Sequence, residues 1–167
     1  EVGSSKISHD KLTQNLTEAL IVKKRMTPQI EIKVITDPIN SVYGGIAPEH
    51  YRQLRQAGIE VIETDLTALR ASNPLWSGFW YLCCQGVGNN AEKGWLPNPF
   101  GDEKITLRSY LSLFNFKANH RKTVVVDTLE GWKTLVTSMN PHDGSSHHSN
   151  VAVMVTGNTA IDVLKTE

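Results

Sequence analysis

Cysteine is almost missing from this chain of 167 residues: the only two, Cys83 and Cys84, are neighbours. Adjacent thiols make neither a C-x-x-C half-site for zinc nor a disulfide framework, and the pair reads as buried and apolar. Charge of one sign is missing too, with 17 Lys plus Arg against 17 Asp plus Glu. A protein that grips long nucleic acid through its phosphates usually carries a basic excess. Nucleic acid is therefore the less favoured partner, although a local basic groove is compatible with a neutral total. No apolar run is long enough to span a bilayer, and no signal peptide opens the chain. There is no initiator Met, so Glu1 reads as a cut point. Internal repeats and low-complexity tracts are absent.

What is present is a globular composition, 40% hydrophobic, with length enough for one domain and its own core. Asp10 suits the N-cap of a helix running to about Arg25, with Leu12, Leu16, Ala19 and Leu20 along one stripe. Ile30 to Ile35 alternates as a strand does, and Asp37-Pro38 and Gly44-Gly45 mark a loop. Pro48 and Gly58 bracket a helix over Glu49 to Ala57. Ile59 to Ile62 is the next strand. Strand, helix and strand at this spacing form a right-handed βαβ unit with parallel strands, so the fold class is α/β.

From Leu75 to Phe100 the rhythm breaks. Trp76, Trp80 and Trp95 lie here with Phe79, Tyr81 and Phe100, among several Gly and Pro residues. The segment, about 74–104, reads as an aromatic insertion. It is either packed on the domain, the favoured reading, or a rim that contacts lipid. Ser112 to Lys117 is expected to be a strand leading into His120. Residues 141–150 form a polar loop whose His142, His147 and His148, near Asp143, read as solvated rather than as a metal site, because no Cys or Glu completes a ligand spacing. Val151 to Thr156 alternates as a final strand, and a helix follows from Thr159.

Chemistry concentrates in Asn119-His120-Arg121-Lys122-Thr123-Val124-Val125-Val126-Asp127 and in Thr137-Ser138-Met139-Asn140. Three successive valines favour a strand. His120 and Lys122 then share one face, because side chains alternate along a strand. Leu135 to Met139 reads as a second, antiparallel strand, on which Ser138 and Asn140 share a face. Two such strands can bring an imidazole, an ammonium, a hydroxyl and a carboxamide to one spot. That set suits a tetrahedral anion: Lys122 supplies charge, Ser138 and Asn140 donate hydrogen bonds, and His120 attacks or transfers a proton.

The spacing His120-x-Lys122-x4-Asp127 followed by Ser138-x-Asn140 resembles the H-x-K-x4-D and G-S-x-N motifs of the phospholipase D superfamily. Thr137 stands where that family has Gly. Ile35-Thr36-Asp37-Pro38 and Leu54-Arg55-Gln56-Ala57-Gly58-Ile59-Glu60-Val61 resemble the family's upstream segments, so the likeness spans most of the chain. The resemblance implies a mixed β-sheet flanked by helices, an α/β/α sandwich, in a single domain over 1–167. It implies a phosphodiesterase or phosphatidyltransferase, cardiolipin-synthase-like, with His120, Lys122 and Asp127 catalytic and Lys122, Ser138 and Asn140 holding the phosphate. It implies a phosphohistidine intermediate, no metal and no cofactor. By parity, Asp127 is better read as an organiser than as a group that touches substrate.

In that family two motifs meet, and this chain carries one. It is therefore read as one half of a two-motif protein or as a homodimer, with a phospholipid or other phosphodiester as substrate and a membrane surface as a further candidate partner. The expected location is the bacterial cytoplasm or its membrane. The competing readings are a single-motif dimeric nuclease and a non-catalytic anion-binding α/β module.

Overall fold

A computed structural model describes residues 11–141 and 148–167. The expected cap Asp10 and the histidines at 142 and 147, with Asp143, lie outside the described residues. The chain divides into two compact units. Gln14–Asn119 forms one, and His120–Glu167, with residues 11–13, belongs to the other.

The longer unit carries α1 (Leu12–Met26) but for that helix's first residues. The buried position of α1 is Thr17, while Leu16 is 47% exposed, so the helix packs through a stripe beside the one its leucines outline. Next come β1 (Lys33–Thr36), α2 (Glu49–Gln56) and β2 (Glu60–Glu63). β1 and β2 pair in parallel with Val34 beside Val61, as the βαβ spacing predicts. α2 ends at Ala57, and Gly58 follows at φ +79°, a conformation that costs glycine little. Val42, Tyr51, Leu54 and Ile59 form the core of this layer.

The aromatic stretch contains α3 (Pro74–Cys83), whose N-cap Asn73 accepts from the Trp76 N–H, then the short antiparallel pair β3 (Leu96–Pro97) and β4 (Lys104–Ile105). Its aromatics divide: Trp80 is buried and the Trp76 indole donates to Leu111 O at 3.1 Å, whereas Phe79 and Trp95 are exposed. The two cysteines are joined to each other by a disulfide and Cys83 is exposed, which corrects the expectation of a buried thiol pair.

The expected strand over Ser112–Lys117 is not formed. α4 (Leu107–Leu113) occupies its start, capped by the Thr106 hydroxyl, and a turn follows. The physical reason lies in what is buried. Ile105, Ser109 and Ser112 stand at helical spacing and are all buried, while Leu107 and Phe114 are exposed. Small hydroxyls, not leucines, form the inward stripe, so hydrophobic periodicity gives a false signal there.

The second unit is a meander of β5 (Thr123–Thr128), β6 (Gly131–Thr137) and β7 (Ala152–Thr156), followed by α5 (Asn158–Leu164). Leu129 and Glu130 alone make the β5–β6 turn. α5 covers one sheet face: the buried Thr134 hydroxyl donates to Ala160 O at 3.3 Å. Val124, Leu135 and Met154 stand side by side on the opposite, exposed face. The class is α/β. Among the described residues the strands pair as three separate sheets, of two, two and three strands, rather than as one mixed sheet.

Candidate functional site

His120 and Lys122 sit immediately before β5, and Ser138 and Asn140 immediately after β6, rather than within strands as expected. The hairpin brings the two segments to one end of a sheet, which is less than the convergence on one spot that the sequence predicts. Thr123 pairs with Val136, and one step further the Thr137 N–H donates to Lys122 O at 3.0 Å.

The same register limits what the four side chains share. Directly opposed residues in an antiparallel pair lie on one face. Lys122 therefore goes with Thr137, and a regular continuation would set Ser138 against Arg121, on the other face. The ladder stops at Thr137, and Ser138 is engaged elsewhere. Its N–H donates to Val151 O, its Oγ accepts the Val151 N–H, both at 3.0 Å, and its hydroxyl donates to Asn150 Oδ1 at 3.2 Å. These bonds start β7. Lys122 is half-buried and its Nζ donates to His120 O at 2.8 Å. Burial pushes its ammonium below the ordinary lysine value. The His120 imidazole is exposed. Among the described residues no hydrogen bond joins Lys122 to Ser138 or to Asn140.

Asp127 lies five residues along β5 from Lys122, about 17 Å at the usual strand rise, and on the alternate face. It is exposed and pairs with Trp132. The structure therefore keeps it apart from His120 and Lys122. Among the described residues no group of three or more His, Cys, Asp or Glu side chains is disposed to hold a metal ion, and no helix is long and apolar enough to cross a membrane.

The segment that leads into His120 is held within the longer unit. Asp37 is 8% exposed; one carboxylate oxygen caps the turn after β1 by accepting the Ile39 N–H at 2.8 Å, and the other accepts the Asn119 N–H. The Tyr43 hydroxyl donates to Lys117 O at 2.7 Å. Burial, together with the nearby Asp37 charge, pushes that phenol up to about 12. From the sequence, Asp37-Pro38 reads as a loop and as part of a family-like upstream segment, and Lys117 reads as strand. The one local signal was an Asp-Pro at a strand end, which suits an Asx cap.

No protein-family model, curated protein or solved structure matches this chain.

Proposed function

We propose that this chain is one motif-bearing half of a phosphodiesterase or phosphatidyltransferase of the phospholipase D type, acting on a phospholipid-like phosphodiester. The observation that carries the reading is the Thr137 N–H bond to Lys122 O, which draws His120-x-Lys122 and Ser138-x-Asn140 to the same end of one hairpin. In this reading a nitrogen of His120 attacks phosphorus, the P–O bond to the leaving group breaks, and an acid protonates the departing oxygen. Water or an alcohol then displaces His120 from the phosphohistidine. Lys122 and Asn140 bind the non-bridging oxygens, where fixed donors stabilise growing charge. For Ser138 to join them, its hydroxyl must exchange Asn150 for the phosphate. The acid is a second imidazole, supplied by another motif-bearing half or by a second copy of this chain. Asp127 organises the strand and touches no substrate.

The test is covalent trapping. The chain is incubated with a phosphatidyl substrate labelled at phosphorus and quenched in alkali, where a phosphoramidate at histidine survives. Label on His120 that disappears in His120→Ala supports the reading. Absence of label, in the presence of a second motif-bearing half and with a bound phosphate near Lys122, would favour the anion-binding module instead.

A further inference from the structure

The unit Gln14–Asn119 contains a cleft of about 390 Å³ at the carboxyl edge of the parallel pair β1–β2. Pro38, just after β1, and Glu63 to Thr67, ending and following β2, form one side of it. In α/β proteins this edge is where ligands collect, because strand ends and the loops after them converge there.

The opposite wall carries two cations whose donors are incompletely used. Lys117 is 7% exposed; its Nζ donates to the Tyr81 hydroxyl at 3.0 Å and, at the long distance of 3.4 Å, to Leu66 O. Among the described residues it has no carboxylate in ion-pair contact. The nearest opposite charge is Asp65, whose carboxyl is held below its ordinary value chiefly by its bonds from Thr67 and, to a smaller degree, by the Lys117 charge; burying an ammonium without a direct ion pair is costly. Arg108 lies over Trp80, 5.5 Å from the ring centre, and its guanidinium donates to Gln85 O at 3.2 Å. Its Nε is buried and, among the described residues, has no hydrogen-bond partner. Buried donors of this kind are rare and need a specific explanation, ion binding being one.

The backbone at the cleft is strained as well. Val42, Tyr43 and Phe116 all have φ near +50°, which is costly for side chains of this size. The turn at Val42–Tyr43 puts Tyr43 on the wall, and the one at Phe116 turns Phe116 outward and Lys117 inward. Asn89 locks the first turn by donating to Tyr43 O at 3.0 Å. The two acids that line the cleft, Glu63 and Asp65, are exposed. Both oxygens of Asp65 accept from Thr67.

We infer that this cleft binds a phosphate group, with Lys117 as its counter-charge and the Arg108 guanidinium as its second donor. The inference does not depend on the chemistry assigned to His120. A fork of planar N–H donors suits phosphate oxygens, and the ammonium suits the same ligand as a point charge. Such a phosphate can belong to a small soluble ester or to a lipid headgroup.

The experiment is an NMR titration of the whole 167-residue chain with inorganic phosphate. The Arg108 Nε–H resonance and the amides of Leu66, Tyr81 and Lys117 are expected to move together and saturably. Arg108→Gln and Lys117→Met should each weaken binding about tenfold or more, as expected when a charge-assisted hydrogen bond is lost. His120→Ala should leave it unchanged. Because Lys117→Met alters a buried position, Arg108→Lys provides a second check: it keeps the charge, removes the fork, and should still bind several-fold more weakly. Glycerol 3-phosphate and vesicles containing phosphatidic acid distinguish the sources, since the better competitor for the phosphate shifts identifies a free ester or a lipid headgroup. Saturable shifts confined to residues 120–140, or shifts that persist unchanged in both Arg108 variants, would overturn the assignment, as would no saturable shift at all.

Discussion

Tyr43 combines three features that rarely coincide in one residue: a left-handed backbone, a hydroxyl spent on a main-chain carbonyl, and a phenol held well above its ordinary value. Its proton is retained in the folded chain to about pH 12, against a reference value of 10.0. Between those values the native state holds a proton that the unfolded state has released. Stability from this group is therefore complete below pH 10.0 and is lost as pH rises toward 12. Tyr43→Phe should lose about 1 kcal/mol at neutral pH through the missing bond to Lys117 O. The deficit should shrink in urea-unfolding midpoints taken at increasing alkaline pH. A deficit constant across that range would contradict the account. At the hairpin, Ser138→Ala removes the acceptor of the Val151 N–H and should cost about 1 kcal/mol whatever its role toward substrate. Asp127→Asn should leave phosphorus labelling of His120 in place, because the carboxylate is a strand's length from Lys122.

Among the elements, α4 leans on the side chain of Thr106. The Thr106 hydroxyl accepts the Ser109 N–H at 3.2 Å and donates to Asn89 Oδ1 at 2.6 Å, so one group caps the helix and anchors the Tyr43 turn. Thr106→Ala should cost about 1–2 kcal/mol, the upper range for a cap, measured by chemical denaturation. Gly94 sits where β3 and β4 approach. A Cβ there would collide with the Lys104 carbonyl and lie 2.9 Å from Ile105 Cα, all of it main chain. The Trp95 N–H bond to Ile105 O depends on that approach. Gly94→Ala should therefore destabilise by about 2 kcal/mol or more, since overpacking against backbone has no cheap relaxation. A thermal shift within error of the parent would show that the pair opens easily.

For the whole molecule, the one-motif chain makes a stoichiometric prediction. If catalysis needs an imidazole from each of two copies, mixing parent with an equal amount of His120→Ala after subunit exchange should leave about a quarter of the two-copy sites intact. A linear fall to half in a turnover assay would point to a second half supplied by different chain. Much of this architecture was legible beforehand. Pro48, Gly58 and alternation on either side placed α2, β1 and β2 within a few residues, and three valines placed β5. These signals are local, carried by φ preferences and by periodicity within one element. Other features were not legible. Ser109 and Lys117 are inside because Asn89 and Tyr81 reach them from elsewhere in the chain, while the Ser112 hydroxyl donates to Arg108 O one turn back in α4, and a buried polar group is tolerated only where such partners arrive. The sequence by itself determined the motif spacing and the α/β alternation. Only the tertiary structure decided the two-residue turn at Leu129–Glu130. That turn sets the β5–β6 register and, because side chains alternate along a strand, decides which groups face Lys122.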